Sequence, residues 1–322
     1  MITFSSWDGI NDYTGTSGQK KLEKFLSPAS VVFSTYQAAI TATLEILGSR
    51  THELPVILSV SASPDTIAAV LRSGACPLLL DINPATLQID ATLLREVLTE
   101  LQAAVVVLDR PAGLPVDPEL LEIVDDLPTI IDTRLLPNLG MADDCIGTFT
   151  VFDLGPVIGT GAVVIHKYGE QLNELKIVRN GVLGLAAHLN DTLALMAYEL
   201  LKTDPSLEKR KAMQKTVADT YASLLSGKLS CLVDDNVEWP YFVVSVKNAD
   251  KVIAHLHSYD ISVLRPIYPL HLLPNISRRW AEKPSYPNAE SVGNTLVALP
   301  IHPGVVGKEA IIVEKLLEVS DS

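Results

Sequence analysis

Between residues 55 and 132 the chain repeats one pattern, a short apolar run followed by a segment of helical periodicity. PVILSV (55–60), PLLLDI (77–82), AAVVVLD (103–109) and TIID (129–132) read as strands. Strands joined through single helices need crossovers, and these are right-handed. The sheet is therefore mostly parallel and covered on both faces. The composition suits this: 48% of residues are hydrophobic but only 6% aromatic, and strands buried on both faces are built from aliphatic side chains. The expected class is α/β, a three-layer α/β/α domain whose ligands sit beyond the carboxyl ends of the strands.

The intervening helices carry their own punctuation. Residues 36–48 place Ile40, Leu44 and Leu47 on one face, with Ser34 or Thr35 as cap and Gly48 as stop. Ser63-Pro64-Asp65 combines a capping hydroxyl, a first-turn proline and an acid at the positive helix end; Ile67, Val70 and Leu71 then face inward. Helices follow at 91–102 and 117–126, and strands at 148–152 and 161–165. A helix over 190–202 and a turn at Thr203–Ser206 lead to a second pattern. This consists of helix 206–226, strand 241–247, helix 249–258, strand 261–264, an irregular stretch 265–288, strand 295–300 and helix 307–318. The reading is a large domain over 1–205 and a small α+β domain over 206–322.

Charge and cysteine usage exclude several classes. A net charge of −13 with no clustered Lys and Arg leaves no basic face for nucleic acid. No apolar run reaches the ~18–20 residues of a membrane span. The first residues, MITFSSWDGINDY, lack the basic and apolar regions of a signal peptide. Cys76, Cys145 and Cys231 are far apart and odd in number, which argues against a disulfide framework or a zinc site and for a reducing, cytoplasmic setting.

Several segments, in order, resemble the DegT/StrS-type sugar aminotransferases, a branch of the fold-type-I pyridoxal-phosphate (PLP) enzymes. They are QAAITATLEILG (37–48), SPDTIAAVLRSGACPLLLDINPATLQID (63–90), GLPVD (113–117), GTFTVF (147–152), Arg179-Asn180-Gly181, RPIYPLHLLP (265–274) and LVALPIHP (296–303). The resemblance covers about residues 34–318. It implies a PLP-transferase-like large domain, a small C-terminal domain and a homodimer.

It also implies a site, and the site departs from the pattern. The family's Schiff-base lysine, which forms the imine and moves the proton, falls on Leu154 or Gly155. No lysine lies between Arg110 and Lys167. The family's Gly-Thr at the phosphate-binding helix start corresponds to Tyr36-Gln37, and tyrosine fills space that glycine leaves for a phosphate. The stacking aromatic falls near Ala62–Ser63, which carry no ring. The segment that reaches the partner's site falls on Ala186-Ala187-His188. Asp132 aligns with the carboxylate that pairs with the pyridine nitrogen; a strand-end Asp capping the next turn is the other reading. No catalytic residue is expected, and no covalent PLP. Non-covalent PLP or its amine form (PMP) held through Asp132 stays open.

Ligand candidates are Arg110, Arg179, His188, Arg265, Tyr268 and His271, with Arg278 and Arg279. Arginines suit a small anionic ligand such as a nucleotide-sugar, whereas surface ion pairing is the plainer reading. Trp280 and Tyr286 could stack on a base or pack at an interface. GPVIGTGA (155–162) lacks the ending of a phosphate-binding loop and reads as a strand-to-strand turn, and Gly304–Glu309 as a helix start. His255 and His257 face different directions on a helix, against a metal pair. Two functions remain: an inactive aminotransferase-like protein, binding a nucleotide-sugar or pairing with an active paralogue, and an active PLP-dependent sugar aminotransferase.

Overall fold

The computed structural model describes residues 17–27, 29–47, 54–133, 149–154, 159–166, 171–181, 187–203, 206–232, 241–277 and 284–320. The large sheet is mixed and mostly parallel. Its strands are β1 (Ser30–Phe33), β2 (Pro55–Ser59), β3 (Cys76–Leu80), β4 (Val105–Asp109), β5 (Thr129–Thr133), β6 (Phe149–Asp153) and β7 (Ala162–His166), in spatial order β1-β7-β6-β5-β4-β2-β3. All neighbours from β6 through β5, β4 and β2 to β3 pair in parallel; β7 is antiparallel to both β6 and β1.

Helices cover both faces, α1 (Ser17–Leu26), α2 (Tyr36–Ile46), α3 (Pro64–Arg72), α4 (Ala91–Glu100), α5 (Pro118–Ile123), α6 (Leu172–Arg179) and α7 (Asp191–Thr203). The period-two alternation of the strands sorts them. Val56, Leu58, Val105, Val107, Ile130, Phe149 and Val151 face one core with Ile40 and Leu44 of α2, Ile67 and Val70 of α3 and Leu175 of α6. On the opposite face, Val106, Leu108 and Ile131 meet Leu94 of α4 and Leu120 of α5, while Phe152, Val163 and Ile165 meet Leu22 and Leu26 of α1 and Ala194 and Ala197 of α7. This is the three-layer α/β/α arrangement that the strand–helix repeat predicts.

The second cluster is built on α8 (Ser206–Leu225), β8 (Phe242–Ser245), α9 (Ala249–His257), β9 (Leu296–Leu299) and α12 (Glu309–Ser320), with Tyr221, Phe242, Val252, Leu256 and Leu316 at its centre. Between them α10 (Pro274–Ser277) and α11 (Pro287–Thr295) return to the large sheet: Ile267, Leu270, Ile276, Ala289 and Val292 belong to its core. The Asp81 carboxylate holds α11 there, accepting from the backbone N–H groups of Asn288 (3.0 Å) and Ala289 (2.9 Å). The expected strand at 261–264 reduces to one bridge, Leu264 with Ala298. Among the described residues, no helix is long and apolar enough to cross a membrane, and no cluster of His, Cys, Asp and Glu could hold a metal ion.

Candidate cofactor site

Three backbone elements converge on Asp132, at the carboxyl end of β5. Thr35 caps α2 by accepting from the Ala38 N–H at 3.1 Å, which places Tyr36 as the first helical residue. Ser63 caps α3 by accepting from the Thr66 N–H at 3.1 Å. Both helices therefore present their N-termini, where backbone dipoles leave partial positive charge, toward a carboxylate. Asp132 is buried, as are Tyr36 and Thr66.

The side chains close this junction. The Tyr36 hydroxyl donates to Asp132 Oδ1, and the Thr66 hydroxyl donates to Oδ2. Ser63 Oγ lies 2.9 Å from Thr66 Oγ1. A threonine hydroxyl has one proton, and Thr66 gives it to Asp132, so Ser63 is the donor to Thr66. The result is a directed chain, Ser63 to Thr66 to Asp132, met from the other side by Tyr36. The phenol spans from the first residue of α2 to the carboxylate and is only 6% exposed. Gln37, next on α2, accepts from the Arg72 guanidinium.

Asp109 of β4 is the register partner of Asp132 and shares its face of the sheet. Burial pushes its carboxyl up to about 7, and its Oδ1 has no hydrogen-bond partner. Burial likewise raises the phenol of Tyr241; a hydrogen bond at the Ala112 backbone opposes this, and the Asp109 charge adds to it. Arg110 follows at the same edge: its backbone N–H donates to the Asp132 carbonyl at 3.2 Å, and its Nε donates to the Leu114 carbonyl at 3.1 Å.

Leu154 continues β6, its N–H donating to the Gly161 carbonyl at 2.9 Å. Its side chain is fully buried with Phe152, Val163 and Leu189, on the sheet face opposite Asp132. Gly155, Lys167, Ala186, Arg278, Arg279 and Trp280 lie outside the described residues. Gly161, just before β7, has φ +98°, a backbone conformation that favours glycine, and a Cβ there would stand 3.3 Å from the Phe33 carbonyl oxygen; residues 155–158 of the expected turn lie outside the described residues.

The other ligand candidates are dispersed. Arg179, read from sequence as one of them, is instead fully buried in an ion pair, its Nη1 2.5 Å from Glu23 Oε1 and 3.1 Å from the Val32 carbonyl. It ties α6 to α1 and β1. His188 is half-buried beside it; burial and then the Arg179 charge lower its pKa, against the opposing charge of Glu23. Arg265 donates to Asp250, the Gly293 carbonyl and Asn294, and its guanidinium lies 5.9 Å from the exposed ring of Tyr268. His271 is buried, with Nε2 2.9 Å from Glu290 Oε1 and its ring 4.9 Å from that of Tyr286, whose hydroxyl reaches the Leu79 carbonyl at 3.4 Å. His271 and Tyr286 thus join the C-terminal segment to the large sheet. His255 and His257 turn to separate partners, Glu318 and the Val263 carbonyl.

Thr66 and Asp109 escape the sequence reading. Thr66 stands three residues after the cap Ser63, a spacing that ordinarily signals capping alone. Asp109, an acid ending an otherwise aliphatic strand, carries a visible signal.

The model of the DegT/DnrJ/EryC1/StrS aminotransferase family matches residues 20–126 and 156–317. The chain belongs to this family. Strands β5 and β6, with Asp132 and Leu154, lie in the interval between the two matched blocks. Among characterised sequences, the chain is 25% identical over 284 residues to a pleiotropic regulatory protein of Geobacillus stearothermophilus, covering 79% of this chain and 75% of that one. Among solved structures, a sugar aminotransferase of Streptococcus pneumoniae, Spr1654, described in a PMP form, superposes with a TM-score of 0.81 at 20% identity, over 95% of this chain and 92% of that one. PseC of Helicobacter pylori, an aminotransferase of pseudoaminic acid biosynthesis, gives 0.78 at 17%, over 94% and 90%. These likenesses show the fold.

The residues at the junction do not fit a pyridine cofactor as they stand. Tyr36 bridges the α2 start and Asp132, the two points where the sequence resemblance leads us to expect the phosphate and the ring nitrogen. Leu154, one of the two positions where the same resemblance would put the lysine, carries an alkyl group on the other face of the sheet.

Proposed function

We propose that this chain is a member of the aminotransferase family that does not transaminate, its scaffold serving to bind rather than to form imines. One observation carries the reading: Tyr36 donates to the carboxylate that the family pattern reserves for the cofactor nitrogen, in a chain with no lysine between Arg110 and Lys167. Imine chemistry needs a primary amine beside the cofactor and a carboxylate paired with its ring; here the amine is missing where the resemblance puts it, and the carboxylate is kept but met by Tyr36. The role in keeping with the family is a cytoplasmic one in sugar or polysaccharide biosynthesis. In it the chain, as a homodimer or beside an active paralogue, binds an anionic ligand such as a nucleotide-sugar. Arg110, at the carboxyl edge of the sheet, is the candidate anchor. The test is to incubate the purified protein with PLP and add borohydride. The reading expects no visible-absorbing imine and no lysine carrying a reduced pyridoxyl group by mass spectrometry; a trapped lysine overturns it.

The second reading is an active PLP-dependent sugar aminotransferase. It is favoured by the family match and by the sugar aminotransferase structures of the same fold, one described in a PMP form and one in a PLP form. Non-covalent use of PMP through Asp132 belongs with it, and requires Tyr36 to leave the carboxylate.

A further inference from the structure

We infer that Tyr36 is a built-in occupant of the Asp132 slot, and that the slot is specific for a six-membered aromatic ring carrying a hydrogen-bond donor. Its walls are the start of α2, the first turn of α3 and the carboxyl end of β5. Its polar floor is the Asp132 carboxylate, with Thr66 on the second oxygen. The phenol is almost wholly enclosed and meets the carboxylate through its hydroxyl. A ring without a donor would withdraw a hydrogen bond from a buried carboxylate oxygen, which is costly. A ring with one, a phenol or a protonated pyridine, would reproduce the contact. Buried side chains pack as closely as organic crystals, so a second ring cannot share the space. Tyr36 is thus the residue that decides whether any ring reaches Asp132, and its removal creates a cavity matched to the lost side chain.

The inference rests on the reading above in taking Asp132 as the site, but its test is independent of imine chemistry. The probe is phenol, the part of the tyrosine side chain that Tyr36→Ala removes. Urea unfolding is followed for wild type, Tyr36→Ala and Tyr36→Phe with and without phenol. Tyr36→Ala is expected to gain about tenfold in its folded-to-unfolded ratio at a ligand concentration ten times Kd. Wild type and Tyr36→Phe, whose slots hold a ring, are expected to gain nothing. If Tyr36→Ala does not fold alone, refolding in phenol reads the same quantity, and recovery of native structure counts for the inference. No gain and no recovery, or an equal gain in all three proteins, overturns it. Benzene, the same ring without the hydroxyl, is expected to bind Tyr36→Ala at least tenfold more weakly; equal binding overturns the requirement for a donor. Failure here with no borohydride-trapped lysine in wild type sinks this inference alone, whereas a trapped lysine sinks the functional reading whatever phenol does.

Discussion

Replacing Tyr36 by Phe removes one oxygen from the Asp132 junction and leaves the ring in place. No cavity forms, so the cost is that of a hydrogen bond, without the larger penalty of a lost side chain. The lost bond had a carboxylate as acceptor, and such bonds contribute about 1.5–3 kcal/mol. Asp132 keeps the Thr66 hydroxyl, so the cost stays below the ~3–5 kcal/mol of an ion stripped of its partner in the interior. The expected loss is about 2 kcal/mol. Thr66→Val removes the Thr66 hydroxyl, with its bond to Asp132 and its contact with Ser63, for a loss of similar size. Because the two hydroxyls share one carboxylate, the double variant should depart from the sum by ~0.5 kcal/mol or more. The assay is urea unfolding by circular dichroism, comparing midpoints at an unchanged slope. A Tyr36→Phe protein within ~0.5 kcal/mol of wild type, the range of an inconsequential surface change, would refute the buried hydroxyl–carboxylate contact.

Three other outcomes follow from the same packing. Glu23→Ala strands the Arg179 guanidinium in the interior and should cost about 3–5 kcal/mol, with part recovered by adding Arg179→Met, both read by urea midpoint. Asp81→Ala removes two backbone bonds at the start of α11 and should cost ~0.5–2 kcal/mol, with faster proteolysis between residues 265 and 295. The folded state holds the Asp109 proton up to about pH 7, whereas the unfolded chain releases it near 3.8. Wild type should therefore lose stability relative to Asp109→Asn as pH rises through that window, seen as a diverging pair of urea midpoints.

The parallel sheet was legible because its strands are short aliphatic runs with clear turn and cap residues between them. Thr35, Ser63 and Asp90 cap the helices that those runs predict. Elements held by distant contacts were not legible. Helix α11, PNAESVGNT, is poor in helix formers, and its first N–H groups are satisfied by Asp81, more than two hundred residues earlier. Strand β1 is four residues long, and α1 is mostly polar with only Leu22, Phe25 and Leu26 to mark its inner face. The site shows the same division. Asp132 could be placed by its strand end and Tyr36 by its helix start, but nothing local says that one reaches the other across 96 residues. Arg179 reads from sequence as an anion anchor, because the carboxylate that binds it, Glu23, lies 156 residues away.

The central claim is that the phenol of Tyr36, and not a cofactor ring, meets Asp132. A crystal structure of the wild-type protein grown in excess pyridoxamine 5′-phosphate tests it directly. The account predicts density for the Tyr36 hydroxyl on the Asp132 carboxylate and no pyridine ring beside it; a pyridine nitrogen on Asp132, with Tyr36 turned away, would contradict it.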